Sequence, residues 1–257
     1  MTGSDAIAFL HSMLSQDIEN CPVGSGVHAL LLDARGHLNA DLFVFRDGES
    51  SAFLIQEGGG AVETISKLTR FLIRTDASIE LCTDLEMHVV DAVSAETDSG
   101  DGIHISGVRW DLGGVSVMEG LGVGVDNVLG VSDESWNALR IEARVGRWGV
   151  DFDERVLPHE AWLDEDAVSF TKGCFLGQEV VCRIDSRGRV RRFLRTLRSE
   201  SELHVGDALI SESQEVGTVT SVECVDEDSW IALAWVRSTF EPGALIETPH
   251  GHARIAL

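Results

Sequence analysis

VSFTKGCFLGQEVVCRIDSRG, residues 168–188, is the stretch from which the fold and chemistry of this 257-residue chain can be read. Cys174 stands between Gly173 and Gly177, residues that let a backbone turn sharply or approach a ligand closely. Lys172 lies two positions before the thiol, and a nearby ammonium favours thiolate. Gln178 and Glu179 can open a helix whose free N-terminal amides would lie beside the cysteine. These residues alone leave two possibilities open: a reactive thiol, or a cysteine serving as a small buried hydrophobe.

Directly downstream the charge balance inverts. Seven arginines (183, 187, 189, 191, 192, 195 and 198) stand against the single acid Asp185, in a chain whose formal charge is −23. An arginine stripe on an acidic body can seat a small anion, since guanidinium binds carboxylate or phosphate bidentately, or it can pair with the surrounding acids. The net charge argues against a broad nucleic-acid surface, so no nucleic-acid partner is expected. Lys67 and Lys172 are the only lysines, which sets the latter apart.

Five cysteines without a CxxC pair give no disulfide framework and no cysteine-rich metal site. His250 and His252 read as a solvated turn, and no metal centre is expected. No apolar run approaches the roughly 20 residues of a membrane helix. The start MTGSDAIAFLHSML lacks a basic leader region, so cytoplasm is the expected compartment and no membrane partner is expected.

Near the start of the chain Ser4 is placed to cap a helix carrying Ile7, Leu10, His11, Leu14 and Ile18. VHALLLD (27–33) and LNADLFVF (38–45) predict a hairpin around Ala34-Arg35-Gly36, followed by a strand SAFLIQ (51–56). Val62, Ile65, Leu68 and Leu72 predict one helical face over 61–74. ASIELC (77–82) and EMHVVDAV (86–93) read as strands, and 96–104 as a polar turn. Ser132 before Asp133 and Glu134 is a helix start, with acids where the dipole favours them. From about 193 six short strand-like runs predict a small antiparallel barrel or sandwich.

At this point the residues resemble a known family. The 168–188 stretch matches every fixed position of the K-G-C-aromatic-x-G-Q-E signature of YgfZ-type folate-binding proteins, relatives of the glycine-cleavage T-protein. SDAIAFLHSMLSQDI (4–18), ALLLDARGHLNADLFVF (29–45), LRIEARVGRWGVDF (139–152), LPHEAWLDEDAVSF (157–170), EVGTVTSV (215–222) and IALAWVR (231–237) are similar to further family segments.

The resemblance implies an α+β chain. A T-protein-like folate-binding body of interleaved subdomains would span 1–190 (about 1–50 with 125–190, and 51–124), followed by an antiparallel β-barrel over 191–257. It implies tetrahydrofolate or a one-carbon derivative as ligand. It also implies a role in assembling or repairing iron–sulfur enzymes, with assembly proteins or client enzymes as partners. Cys174 and Lys172 would carry the chemistry. Glu142 would accept hydrogen bonds from the pterin's 2-amino-pyrimidinone edge, with Arg140, Gln178 and Glu179 beside the ligand. Trp148 and Phe175 would sandwich the pterin, and Arg183 and Arg187 would meet the glutamyl tail. Trp136, Trp162, Trp230 and Trp235 read as packing residues.

Two departures matter. Ala40-Asp41 replaces the T-protein's paired aspartates, which weighs against ordinary aminomethyl transfer, the alternative function. Arg144 and Gly146 stand where the family usually has Gly and Pro.

Overall fold

The computed structural model describes residues 1–82, 86–91, 107–111, 116–122 and 132–256. The chain folds as two compact units, residues 1–131 with 164–182, and 132–163 with 183–257. Among the described residues no helix is long and apolar enough to cross a membrane.

In the first unit, β1 (Gly26–Leu32), β2 (Leu38–Gly48) and β3 (Ser51–Ile55) form an antiparallel sheet in that order. The predicted hairpin is its centre. Asp33 Oδ1 accepts from the backbone N–H groups of Arg35 (2.8 Å) and His37 (2.9 Å), and Gly36 takes φ +79°, the local chemistry that reverses the chain. Because strand side chains alternate, Ala40, Leu42 and Val44 join Leu10, Leu14 and Ile18 in one core, while Phe43 and Phe45 meet Ile55 on the opposite face. Ala40 and Asp41 therefore point to opposite faces. A second sheet, β4 (Glu86–Asp91), β5 (Gly107–Asp111) and β6 (Ser116–Gly122), runs in the order β4-β6-β5.

Several local expectations change. Helix α1 spans Ala6–Met13, but Ser4 does not cap it. Its hydroxyl donates to Asp76 Oδ2 (2.7 Å), and Asp5 accepts from the Asp76 N–H (2.8 Å). Helix α2 spans only Ala61–Thr69 and buries Thr64 and Leu68, leaving Val62 67% exposed. ASIELC is no strand. Only Ser78 pairs, as an isolated bridge to Thr2. The 96–104 turn lies outside the described residues.

In the second unit Ser132 does cap, its Oγ accepting from the Ser135 N–H (3.3 Å) at the start of α3 (Asp133–Glu142). Six strands, β7 (Arg192–Ser199), β8 (Ala208–Ser211), β9 (Gln214–Asp226), β10 (Ser229–Arg237), β11 (Leu245–Thr248) and β12 (Gly251–Ile255), close into a barrel in the order β10-β7-β12-β11-β8-β9. Leu197, Leu209, Val219, Ala232, Ala234 and Ile246 fill it. Of the barrel and the sandwich that the run of short apolar segments predicts, the barrel forms.

The unit boundaries differ from the expected 1–190 body. Residues 132–163 pack with the barrel because Ile141 of α3 buries against Leu194, Ile231 and Leu233. A buried polar hub reinforces this. Arg140 donates to Asp151 (2.8 Å) and Ser221 (2.7 Å), and Ser221 donates to Asp151 (2.7 Å). The Arg147 N–H also donates to the Asp151 carboxylate, and the Trp235 indole to the Asp151 carbonyl.

Candidate functional site

The Cys174 loop is built from its anchors. At the C-terminal end of α1, unpaired carbonyls need donors, and the Lys172 ammonium supplies them. It donates to the carbonyls of His11, Leu14 (2.6 Å) and Gln16 (3.1 Å), which engages all three of its N–H groups. Burial lowers its pKa to about 8. The expected cation at the thiol is thus turned into the end of a helix instead. Upstream, the Ser169 N–H donates to the Ser15 carbonyl (3.0 Å) and Ser15 Oγ to the Ala167 carbonyl (2.5 Å).

Downstream, Phe175 is buried, so it anchors the loop rather than offering a face to a ligand; its ring centre lies 5.3 Å from the Lys172 ammonium. Gly177, at φ +82°, presses on the β1–β2 turn: a side-chain carbon there would come within 2.5 Å of the Asp33 carbonyl oxygen. Glycine is required at 177, whereas Gly173 borders open space. Between these anchors Cys174 is exposed. Gln178 and Glu179 open α4 (Gln178–Arg187), half-buried and exposed respectively, and Cys182 is half-buried within it. All five cysteines are free.

Elsewhere in the first unit lies an acid–imidazole–acid group that sequence reasoning missed. His28 on β1 is buried, with Nε2 bonded to Asp41 and Nδ1 3.0 Å from Asp166. Burial opposes a charge on the ring, but the Asp41 carboxylate and the hydrogen bonds from both acids prevail and raise its pKa to about 9. The available signal was a histidine and an aspartate at diagonal positions on one face of an otherwise apolar hairpin; Asp166, 138 residues away, carried none.

The remaining expected residues lie in the second unit. Glu142 ends α3 with its carboxylate half-exposed and paired to Arg198. It lines a cleft of about 630 Å³ with Arg144, Arg195, Arg198 and Arg254. Arg195 is only 9% exposed, and its guanidinium sits over the Trp162 and Phe193 rings, at 5.1 and 4.8 Å. Burial, and then the charge of Arg144, press its pKa below the ordinary arginine value. Crowded guanidiniums around a cleft are a setting for an anionic ligand.

Arg140, expected at the cofactor, is instead 2% exposed and held by Asp151 and Ser221 inside the unit. Trp148 packs edge-on against Phe152 (6.1 Å) outside the cleft lining. Arg183 is exposed on α4, and of Arg187 only its place at the helix end is described. Of the stripe, the members that line the cleft, Arg195 and Arg198, stand on β7 rather than on α4. Arg144, at φ +61°, occupies a left-handed backbone position, which accounts for the family's glycine there. A smaller cleft in the first unit, about 220 Å³ and lined by Phe53, Gln56, Thr64, Ile79 and Cys82 among others, contains none of the expected residues.

No protein-family model matches the chain. An uncharacterized protein of Haemophilus influenzae is 23% identical over 239 residues, covering 90% of this chain and 83% of that protein. The tRNA-modifying protein YgfZ of Yersinia enterocolitica is 25% identical, covering 76% of this chain and 66% of the relative, so the chain spans about two thirds of that protein's length. The YgfZ of Photobacterium profundum is 22% identical, with coverages of 81% and 70%. Among solved structures, the glycine cleavage system aminomethyltransferase T from Bartonella henselae superposes with a TM-score of 0.81 at 19% identity, over 100% of this chain and 81% of that one. In sequence the chain is similar to proteins of the YgfZ type, and its fold is that of the glycine-cleavage T-protein.

Proposed function

We propose that this chain binds a tetrahydrofolate and acts as an accessory protein in assembling or repairing iron–sulfur enzymes, with Cys174 as its working thiol. The observation that carries this is the Cys174 loop. Lys172, Phe175 and Gly177 are each fixed by the protein, and the thiol between them is left exposed. A cysteine serving only as a small hydrophobe would be inside.

The cleft chemistry supports the folate part. Glu142 offers the carboxylate a 2-amino-pyrimidinone edge needs, and Arg144, Arg195 and Arg254 offer guanidiniums to glutamyl carboxylates. Bound there, the folate would supply a one-carbon carrier. This chain would grip and orient it, with Arg198 releasing Glu142 on binding. Ala40 supports the accessory role over turnover. It is buried in the α1-facing core, so the hairpin carboxylate is Asp41 alone, and that is engaged with His28.

One thiolate cannot hold a cluster, which normally takes four, so Cys174 would act in a contact shared with a client. The relatives' tRNA-modifying label fits an indirect role, through a client enzyme, since a charge of −23 disfavours gripping a phosphate backbone. The test is a Cys174→Ala chain in cells deleted for the native copy. Loss of iron–sulfur enzyme activity with folate binding kept supports the proposal. Full activity with Cys174→Ala would sink the thiol's role, and sustained methylene transfer to tetrahydrofolate from an aminomethyl donor would favour the transferase.

A further inference from the structure

We propose that His204, Asp207 and His250 form a binding site for a divalent transition-metal ion of the zinc type on the barrel. Among the described residues these three are the group whose ligand atoms converge, all within 4.8 Å of one another. The partner of His250 is thus not its sequence neighbour His252 but a histidine from the loop between β7 and β8.

The geometry suits a metal. His204 Nδ1 lies 3.1 Å from His250 Nε2 and 3.9 Å from Asp207 Oδ2. Zinc–nitrogen bonds of about 2.0–2.1 Å place two donors of a tetrahedral centre about 3.3–3.4 Å apart, close to the His204–His250 separation, and a shift of about half an ångström would bring Asp207 to the same spacing. The outer contacts are those of a metal-bound histidine. His204 turns its other nitrogen to Glu202 Oε1 (3.4 Å), and such a carboxylate behind a ligand imidazole fixes ring and tautomer. Asp207 is positioned in turn by accepting the His204 backbone N–H (2.8 Å).

The two loops are held together independently of any ion. Ser199 Oγ donates to the His252 carbonyl (2.9 Å), and Gly251 leaves room where a side-chain carbon would meet Ser201 Oγ at 2.3 Å. Two imidazoles and one carboxylate leave a fourth place for water. Bound metal would tie the β7–β8 loop to the β11–β12 turn.

The test is calorimetric titration of Zn²⁺ into the full chain and its His204→Ala, His250→Ala and His252→Ala variants, with zinc-edge X-ray absorption on the loaded wild type. One equivalent bound by wild type and His252→Ala, at least a tenfold loss of affinity in the other two, and nitrogen and oxygen ligands only would support the site. A zinc-induced rise in melting temperature in wild type but not in His250→Ala, whose metal-free melting matches wild type, separates lost ligation from lost fold. Unchanged affinity in His204→Ala and His250→Ala, no binding by wild type, or sulfur ligation by the exposed cysteines would overturn it.

Discussion

His28 sits where a charge is expensive, inside a hairpin core, and two carboxylates hold that charge in place. Its folded pKa of about 9 lies above the ordinary 6.5. The stabilisation is therefore complete below about pH 6.5 and is lost as pH rises through about 9. Its size is on the order of 3 kcal/mol. Lys172 slopes the other way, since its pKa is lowered to about 8 and its neutral form is favoured in the fold. Wild type alone thus mixes two signs, and the comparison with His28→Gln isolates one. The melting-temperature gap between the two is predicted to be widest near pH 6 and to shrink above pH 9. A gap independent of pH would show that His28 folds uncharged.

Among the elements, the Cys174 loop rests on the β1–β2 turn through one glycine. Gly177→Ala would set a carbon 2.5 Å from the Asp33 carbonyl oxygen, at a φ of +82° that L side chains avoid. A loss of about 2–4 kcal/mol in denaturant unfolding is predicted, with Gly173→Ala close to neutral. Equal losses in both would place the constraint elsewhere. These elements also show what a sequence reveals. The hairpin, the Ser132 cap and the six barrel strands were legible because each is written in neighbouring residues: an Asx turn, a capping serine, alternating apolar runs. Ser4 misled because its partner, Asp76, is 72 residues away, and ASIELC misled because its alternation meets only Thr2. Lys172 looked like the thiol's cation because two residues of separation is a fact of sequence, while the end of α1 is a fact of the fold.

At the level of the whole molecule, assignment of residues 132–163 to the barrel unit was illegible for the same reason: Asp151 serves Arg140, Ser221 and the Trp235 indole, none of them in one segment. Asp151→Asn would break the buried Arg140–Asp151 ion pair, at a predicted cost of about 3–5 kcal/mol to the second unit, measured by denaturant unfolding. A cost below about 1 kcal/mol would mean the hub is not what joins α3 to the barrel. Of the expected site, Cys174 is exposed and Glu142 lines the cleft with Arg195 and Arg198, whereas Arg140 and Phe175 are buried. In the proposed function a folate pocket and a thiol have separate tasks. Titration of 5-formyltetrahydrofolate against tryptophan fluorescence, in wild type, Glu142→Ala and Cys174→Ala, tests it most directly. Equal binding by wild type and Cys174→Ala, with at least a tenfold loss in Glu142→Ala, is predicted; no response up to millimolar folate, or a Glu142→Ala chain that binds like wild type, would contradict it.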